Sequence, residues 1–158
     1  MSRQRRTRGE RLTQGALIIV SLPLLPPLIL IALVLFLLHR GVLYLLIWLL
    51  WLPRGKDTLV VYSNSPIWQE YMIEQVLPLV KERAVVLNWS ERSTWRKWRL
   101  TQQVFYSFAV GHEFNPMVVL FRPLRRAKLF RFWSAFNEWK RGYTEPVERL
   151  RNDLLLYL

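Results

Sequence analysis

Thr58-Leu59-Val60-Val61-Tyr62-Ser63-Asn64-Ser65-Pro66-Ile67-Trp68 reads as a buried strand that runs through a short loop into a capped helix. The first five residues are apolar and rich in β-branched side chains, which predicts a strand inside a sheet. Ser65 suits an N-cap, because its hydroxyl can accept from an orphan backbone N–H. Pro66 suits the first helical position, where no N–H is needed. Ile67, Ile73, Val76, Leu77 and Val80 then recur at helical spacing as far as Arg83, with Pro78 kinking or ending the regular part.

Downstream, the pattern alternates. Ala84–Trp89 predicts a second strand, and Ser90 or Ser93 starts a helix through Trp95, Trp98, Val104, Phe105 and Phe108, ended by Gly111. Met117–Phe121 predicts a third strand. The turn Arg122-Pro123-Leu124-Arg125-Arg126 leads into Ala127–Trp133, a fourth strand paired antiparallel with the third. Ser134–Leu158 is helical, interrupted near Gly142-Tyr143. Glu145-Pro146 restarts a helix expected to bury Val147, Leu150, Leu154 and Tyr157.

The order β-α-β-α-β-β-α over residues 53–158 resembles the thioredoxin fold, an α/β class with parallel strands first and a closing hairpin and helix. Two short coincidences add to the resemblance. Ser65-Pro66-Ile67-Trp68 falls where thioredoxin-like proteins, glutaredoxins especially, carry Cys-Pro-x-Cys. Asn115-Pro116 precedes the third strand, where that family has a cis-proline. Ser65, Pro66, Trp68 and Pro116 are then vestigial motif positions. The chain has no cysteine, and a hydroxyl cannot replace a thiolate in disulfide exchange. The resemblance therefore implies a redox-inactive domain.

Upstream lies the other organising feature. Residues 1–14 form a basic tail with Arg3, Arg5, Arg6, Arg8 and Arg11 against Glu10 alone. Gly15–Leu52 is a 38-residue apolar stretch interrupted only by Ser21, His39 and Arg40. It is far longer than a signal-peptide core of about 7–15 residues and ends in Trp48-Leu49-Leu50-Trp51-Leu52-Pro53, so it reads as a retained membrane anchor. As one helix it would span roughly 57 Å, against a hydrocarbon core of about 30 Å. Pro23, Pro26 and Pro27 are expected to break or kink its first part, and His39-Arg40-Gly41 to mark a second discontinuity.

Two layouts fit. In one, residues 16–38 cross once and Val42–Leu52 lies at the far interface, with Tyr44, Trp48 and Trp51 as one aromatic stripe at headgroup level. In the other, the stretch folds back as a hairpin. The arginine tail places the N-terminus in the cytoplasm. A single crossing then exports the domain, whereas a hairpin keeps it cytoplasmic, the side towards which Arg54, Lys56 and the basic domain tilt the balance. Arg40 is read either as an interfacial arginine snorkelling to headgroups or as a buried charge paired with another subunit.

The net charge is +12, and residues 53–158 hold 17 basic against 10 acidic side chains. Trp95-Arg96-Lys97-Trp98-Arg99 interleaves indoles with cations. Arg122, Arg125, Arg126, Lys128 and Arg131 bracket the third and fourth strands, and Trp133, Phe136, Trp139, Lys140 and Arg141 follow. Beside an anchor, such a set fits membrane lipids or other integral subunits of a complex better than nucleic acid. A plain division into core aromatics and solvated cations is the competing reading.

Chemistry is sparse. His39 and His112 make no metal set, and His112-Glu113 lacks a second histidine one turn on. Gly55-Lys56-Asp57 lacks the spacing of a phosphate-binding loop. Glu70 and Glu74 lie one turn apart on a helix face that reads as solvated. Ser65 as a nucleophile needs a base, for which His112 is the candidate. No cofactor is implied. The expectation is a non-catalytic accessory or scaffold subunit of a membrane complex, with a bacterial respiratory or photosynthetic assembly as one setting. The alternatives are a tethered enzyme or thiol-ligand pocket using Ser65 and Pro116, and an anionic-lipid-binding protein.

Overall fold

The computed structural model describes residues 25–109 and 114–158. The basic tail, Pro23 and Gly111–Glu113, with His112, lie outside the described residues. Two compact units emerge, residues 1–41 and 42–158.

In the first unit the described residues are helical throughout. Helix α1, Leu25–Leu46, has 22 residues, enough for about 33 Å of rise. Pro26 and Pro27 fall in its first described turn, where a missing N–H costs little. Residues 25–39 are exposed on every side, and Ile29 and Leu30 are above 60% exposed. A stretch apolar all round on which no described residue packs is the pattern of a bilayer span, and this helix is long and apolar enough to cross a membrane. The discontinuity expected at His39-Arg40-Gly41 is absent, because the helix runs through it and a Cβ at Gly41 would meet nothing within 4 Å. Nor does residues 25–46 contain the turn that a hairpin needs.

The second unit is a mixed α/β domain around a four-stranded sheet of order β2-β1-β3-β4. The strands are β1 (Thr58–Tyr62), β2 (Ala84–Asn88), β3 (Met117–Leu120) and β4 (Lys128–Arg131). β1 pairs parallel with β2, with Val60 opposite Val86, and antiparallel with β3, with Val60 opposite Val118. β4 continues the antiparallel side, with Phe130 opposite Val118.

Period-two alternation sends the strands' side chains into two cores. Val60, Val118, Leu120 and Phe130 face one way. They pack with Met72, Val76 and Val80 of the helical stretch 69–80 (α2), Ala135 and Phe136 of α4 (Trp133–Lys140), and Val147 and Leu154 of α5 (Glu145–Leu156). Leu59, Val61, Met117 and Val119 face the other way, against Val104, Phe105 and Phe108 of α3 (Leu100–Phe108) and against Leu43, Ile47 and Trp51.

In the single-crossing layout residues 42–52 were expected at a membrane interface with Trp51 in an exposed stripe; instead Trp51 is buried, and with Leu43 and Ile47, spaced four residues apart, it forms one wall of the domain core. The sheet's second face would otherwise be half bare.

Two prolines shape the helices in the same way. Ile47–Trp51 and Met72–Val76 are wound as π-helix, and each ends two residues before a proline, Pro53 and Pro78. The Leu52 and Leu77 N–H groups reach back five residues, to the Ile47 and Met72 carbonyls. Widening the turn relieves the clash of a proline ring with the carbonyl four residues before it. The expected helix from Ser90 is a 3-10 stretch, Trp89–Thr94, started by the Asn88 side chain accepting from the Ser90 N–H. Extended backbone at Trp95 and Arg99 separates it from α3. At the other interruption, Gly142 has φ +95°, a conformation suited to glycine, between α4 and α5.

Candidate functional site

The motif positions gather where β1 and β2 end and β3 begins. Ser65 Oγ accepts from the Ile67 N–H at 3.4 Å within a turn, and the helix expected to start at Ser65-Pro66 begins later, at Gln69, with Trp68 at its N-cap and no side-chain cap. Trp68 points inward. Its Nε1 donates to Ser63 Oγ at 3.1 Å, and its ring lies 6.0 Å from that of Phe136. Ser63 Oγ also accepts from Asn115 Nδ2 at 2.9 Å, which ties the loop after β1 to the segment before β3. The Asn115–Pro116 peptide is cis, and Pro116 is buried.

A second set of bonds extends this knot. Asn88 Nδ2 donates to Asn64 Oδ1 at 2.9 Å and to Glu91 Oε1 at 3.0 Å, while the Asn64 N–H donates to Ser90 Oγ at 3.0 Å. Ser63, Asn64 and Asn88 were not singled out from the sequence, where Ser90 figured only as a helix start and Asn115 only beside Pro116. Only their position at strand ends, where small polar residues cluster, could have flagged them. Most of these hydroxyls and amides bond one another, an arrangement that fixes loops, while the buried Asn115 Oδ1 meets no partner among the described residues.

Glu70 and Glu74, read as a solvated helix face, are exposed along α2. Tyr71, between them in sequence, is engaged instead, its hydroxyl donating to Glu148 Oε1 at 3.0 Å. Burial, reinforced by that carboxylate, raises the Tyr71 pKa well above its ordinary value. Asp57 receives a bidentate contact from Arg83, with Nε to Oδ1 at 3.1 Å and a second nitrogen on Oδ2, and Arg83 also donates to the Leu158 carbonyl at 2.9 Å. The bond to Asp57 raises the Arg83 pKa. Among the described residues, no group of three or more His, Cys, Asp or Glu could hold a metal ion.

The basic-aromatic residues divide. Trp95 is half-buried, its ring 5.6 Å from Trp89 and 5.3 Å from Phe105. Trp98 is 73% exposed, with the Arg96 guanidinium 6.0 Å from its ring and Lys97 and Arg99 exposed beside it. Arg125, Arg126 and Lys128 are exposed on the β3–β4 turn. In the first unit the Arg40 guanidinium lies 5.7 Å from the Phe36 ring. Of the aromatic stripe, Trp51 is 6% exposed and 6.0 Å from Phe121, while Tyr44 and Trp48 are half-buried against the same core. Large rings beside a bare sheet face gain more from that contact than from headgroups.

In comparisons with known proteins, no protein-family model, no curated protein and no solved structure matches the chain.

Proposed function

We propose that this chain is a membrane-anchored, non-catalytic accessory subunit whose α/β unit is a redox-inactive thioredoxin-like domain. The carrying observation is Trp68. Where the resembled family keeps its second motif cysteine, this chain has an indole hydrogen-bonded to Ser63 and packed on Phe136. A ring so employed is a structural part, and the Ser65 hydroxyl accepts from the Ile67 N–H of its own turn. The sheet order β2-β1-β3-β4, parallel on one side of β1 and antiparallel on the other, supports the thioredoxin-like reading.

The uncovered apolar surface of α1 supports the anchor. With the arginine-rich tail kept in the cytoplasm, one crossing carries the α/β unit to the opposite side. Trp98 supports docking to another integral subunit: a largely exposed indole among three cations is the composition of an interface anchor.

Purification in mild detergent followed by native mass measurement tests the reading. The expected result is an assembly heavier than the chain alone, weakened by Trp98→Ala. A detergent-solubilised monomer with no co-purifying subunit overturns it.

A further inference from the structure

The turn between β3 and β4 concentrates unbalanced charge. Arg122, Arg125, Arg126 and Lys128, with Leu120 and Tyr157, line a crevice of about 110 Å³ that no carboxylate enters. Arg122 donates to the Tyr157 carbonyl, and the Lys128 ammonium sits 4.6 Å from the Tyr157 ring centroid. Arg125 and Arg126 make no side-chain hydrogen bond or ion pair among the described residues. Four cations around one crevice repel one another until an anion joins them.

The tip of the same turn is apolar. The Arg125 N–H donates to the Arg122 carbonyl at 3.2 Å, with Pro123 second and Leu124 third in the turn. Leu124 has φ +58°, the position that glycine fills in a type II turn, and is 89% exposed. A leucine held in that backbone conformation and packed on nothing gains nothing from its own domain.

Within the second unit, the turn is also fastened to the helical stretch 42–51. The Ala127 N–H donates to the Tyr44 hydroxyl at 2.8 Å. Tyr44 sits in that stretch with Val42, Leu45 and Leu49, which are 54%, 51% and 61% exposed. The cationic crevice and its leucine tip are thus tied to a stretch of helix that still shows an apolar surface.

We infer that the β3–β4 turn is a binding site for the phosphate headgroup of an anionic phospholipid, with Leu124 dipping into the acyl boundary. The inference rests on the reading of α1 as a membrane anchor. Arg125 and Arg126 supply donors that match phosphate oxygens, Lys128 adds charge, and Leu124 sets the depth. Snorkelling cations around an apolar tip suit the zone between headgroups and chains.

The chain has no cysteine, so single cysteines label it uniquely. The full-length protein is reconstituted in phosphatidylcholine vesicles with and without phosphatidylglycerol, and nitroxides at Leu33→Cys and Leu124→Cys report depth. The label at 33 is expected in the hydrocarbon and the label at 124 at the headgroup–acyl boundary. An aqueous label at 33 overturns the anchor reading and this inference with it. A hydrocarbon label at 33 with an aqueous label at 124 overturns the inference alone.

A spin-labelled lipid measures selectivity in the same vesicles. Phosphatidylglycerol should be immobilised in preference to phosphatidylcholine, and each of Arg125→Gln and Arg126→Gln should lower that preference about fivefold at low salt. Leu124→Gly relieves the turn while removing the tip, so reduced immobilisation in that variant cannot come from unfolding. Wild-type protein without preference refutes the site. A preference erased by added inorganic phosphate at constant ionic strength reassigns the crevice to a free anion and refutes the lipid assignment.

Discussion

Residues 25–42 and 43–52 are parts of one apolar sequence with different surroundings. In the first, Leu28, Ile31, Leu35 and Leu38 are about as exposed as Ile29 and Leu30. In the second, Leu43, Ile47 and Trp51 are buried under the sheet, and Leu45 and Leu49 remain outside. Hydropathy alone cannot tell these parts apart. Side-chain type can: the first has Phe36 as its one aromatic residue, whereas the second carries Tyr44, Trp48 and Trp51. Large rings fill a core against neighbouring rings, as Trp51 does on Phe121 and Tyr44 on Phe108, at 6.0 and 5.4 Å.

The largest test of this contrast is truncation. A fragment of residues 42–158 is expected to fold, and one of residues 53–158 to aggregate, because the second loses the wall over Leu59, Val61, Met117 and Val119. Size-exclusion chromatography and hydrogen exchange of the two fragments decide it. Equal behaviour would return residues 42–52 to the anchor.

Point substitutions sharpen it. Trp51→Ala opens a cavity beside Phe121 and is expected to cost about 3–5 kcal/mol of domain stability. Phe36→Ala, on the exposed part, should shift it by less than about 0.5 kcal/mol. Thermal unfolding in one detergent compares them directly. Tyr44→Phe keeps the ring and removes the acceptor of the Ala127 N–H, for an expected loss of about 1–2 kcal/mol and faster exchange of that amide.

How much of this was legible beforehand follows the range of the interactions. β1 is visible because a run such as Leu59-Val60-Val61 has few other fates, and Gly142 and Pro146 mark the break between α4 and α5 by backbone chemistry alone. The burial of Trp51 was not legible, because the four-residue recurrence of Leu43, Ile47 and Trp51 is embedded in a sequence where every neighbour is also apolar. A periodic signal needs polar residues between its peaks. The Ser63-centred knot was hidden for another reason: Ser63 and Asn115 are far apart in sequence, and only the pairing of β1 with β3 brings them together. The Ser65-Pro66 helix start misled for a local reason: a turn over residues 66–68 intervenes, and the helix begins at Gln69.

The opposite face of the sheet, where no part of α1 packs, supplies the smallest effect and a control. Tyr71 packs its ring edge-on to Phe136 at 5.5 Å and donates to Glu148. Its pKa is raised in the folded state, first by burial and then by the hydrogen bond to Glu148. The folded protein therefore holds the phenolic proton more tightly than the unfolded chain does. This contribution is fully present below the unfolded value of about 10 and is lost as pH rises towards the higher folded pKa. Stability should fall above about pH 10, and Tyr71→Phe should flatten that part of the profile, at a cost near neutral pH of about 1 kcal/mol. Trp51→Ala should lower the whole profile and leave its alkaline slope unchanged. Denaturant unfolding of both variants from neutral to alkaline pH separates the two outcomes. An alkaline slope that survives Tyr71→Phe would assign it to other groups and remove Tyr71 from the account of that face.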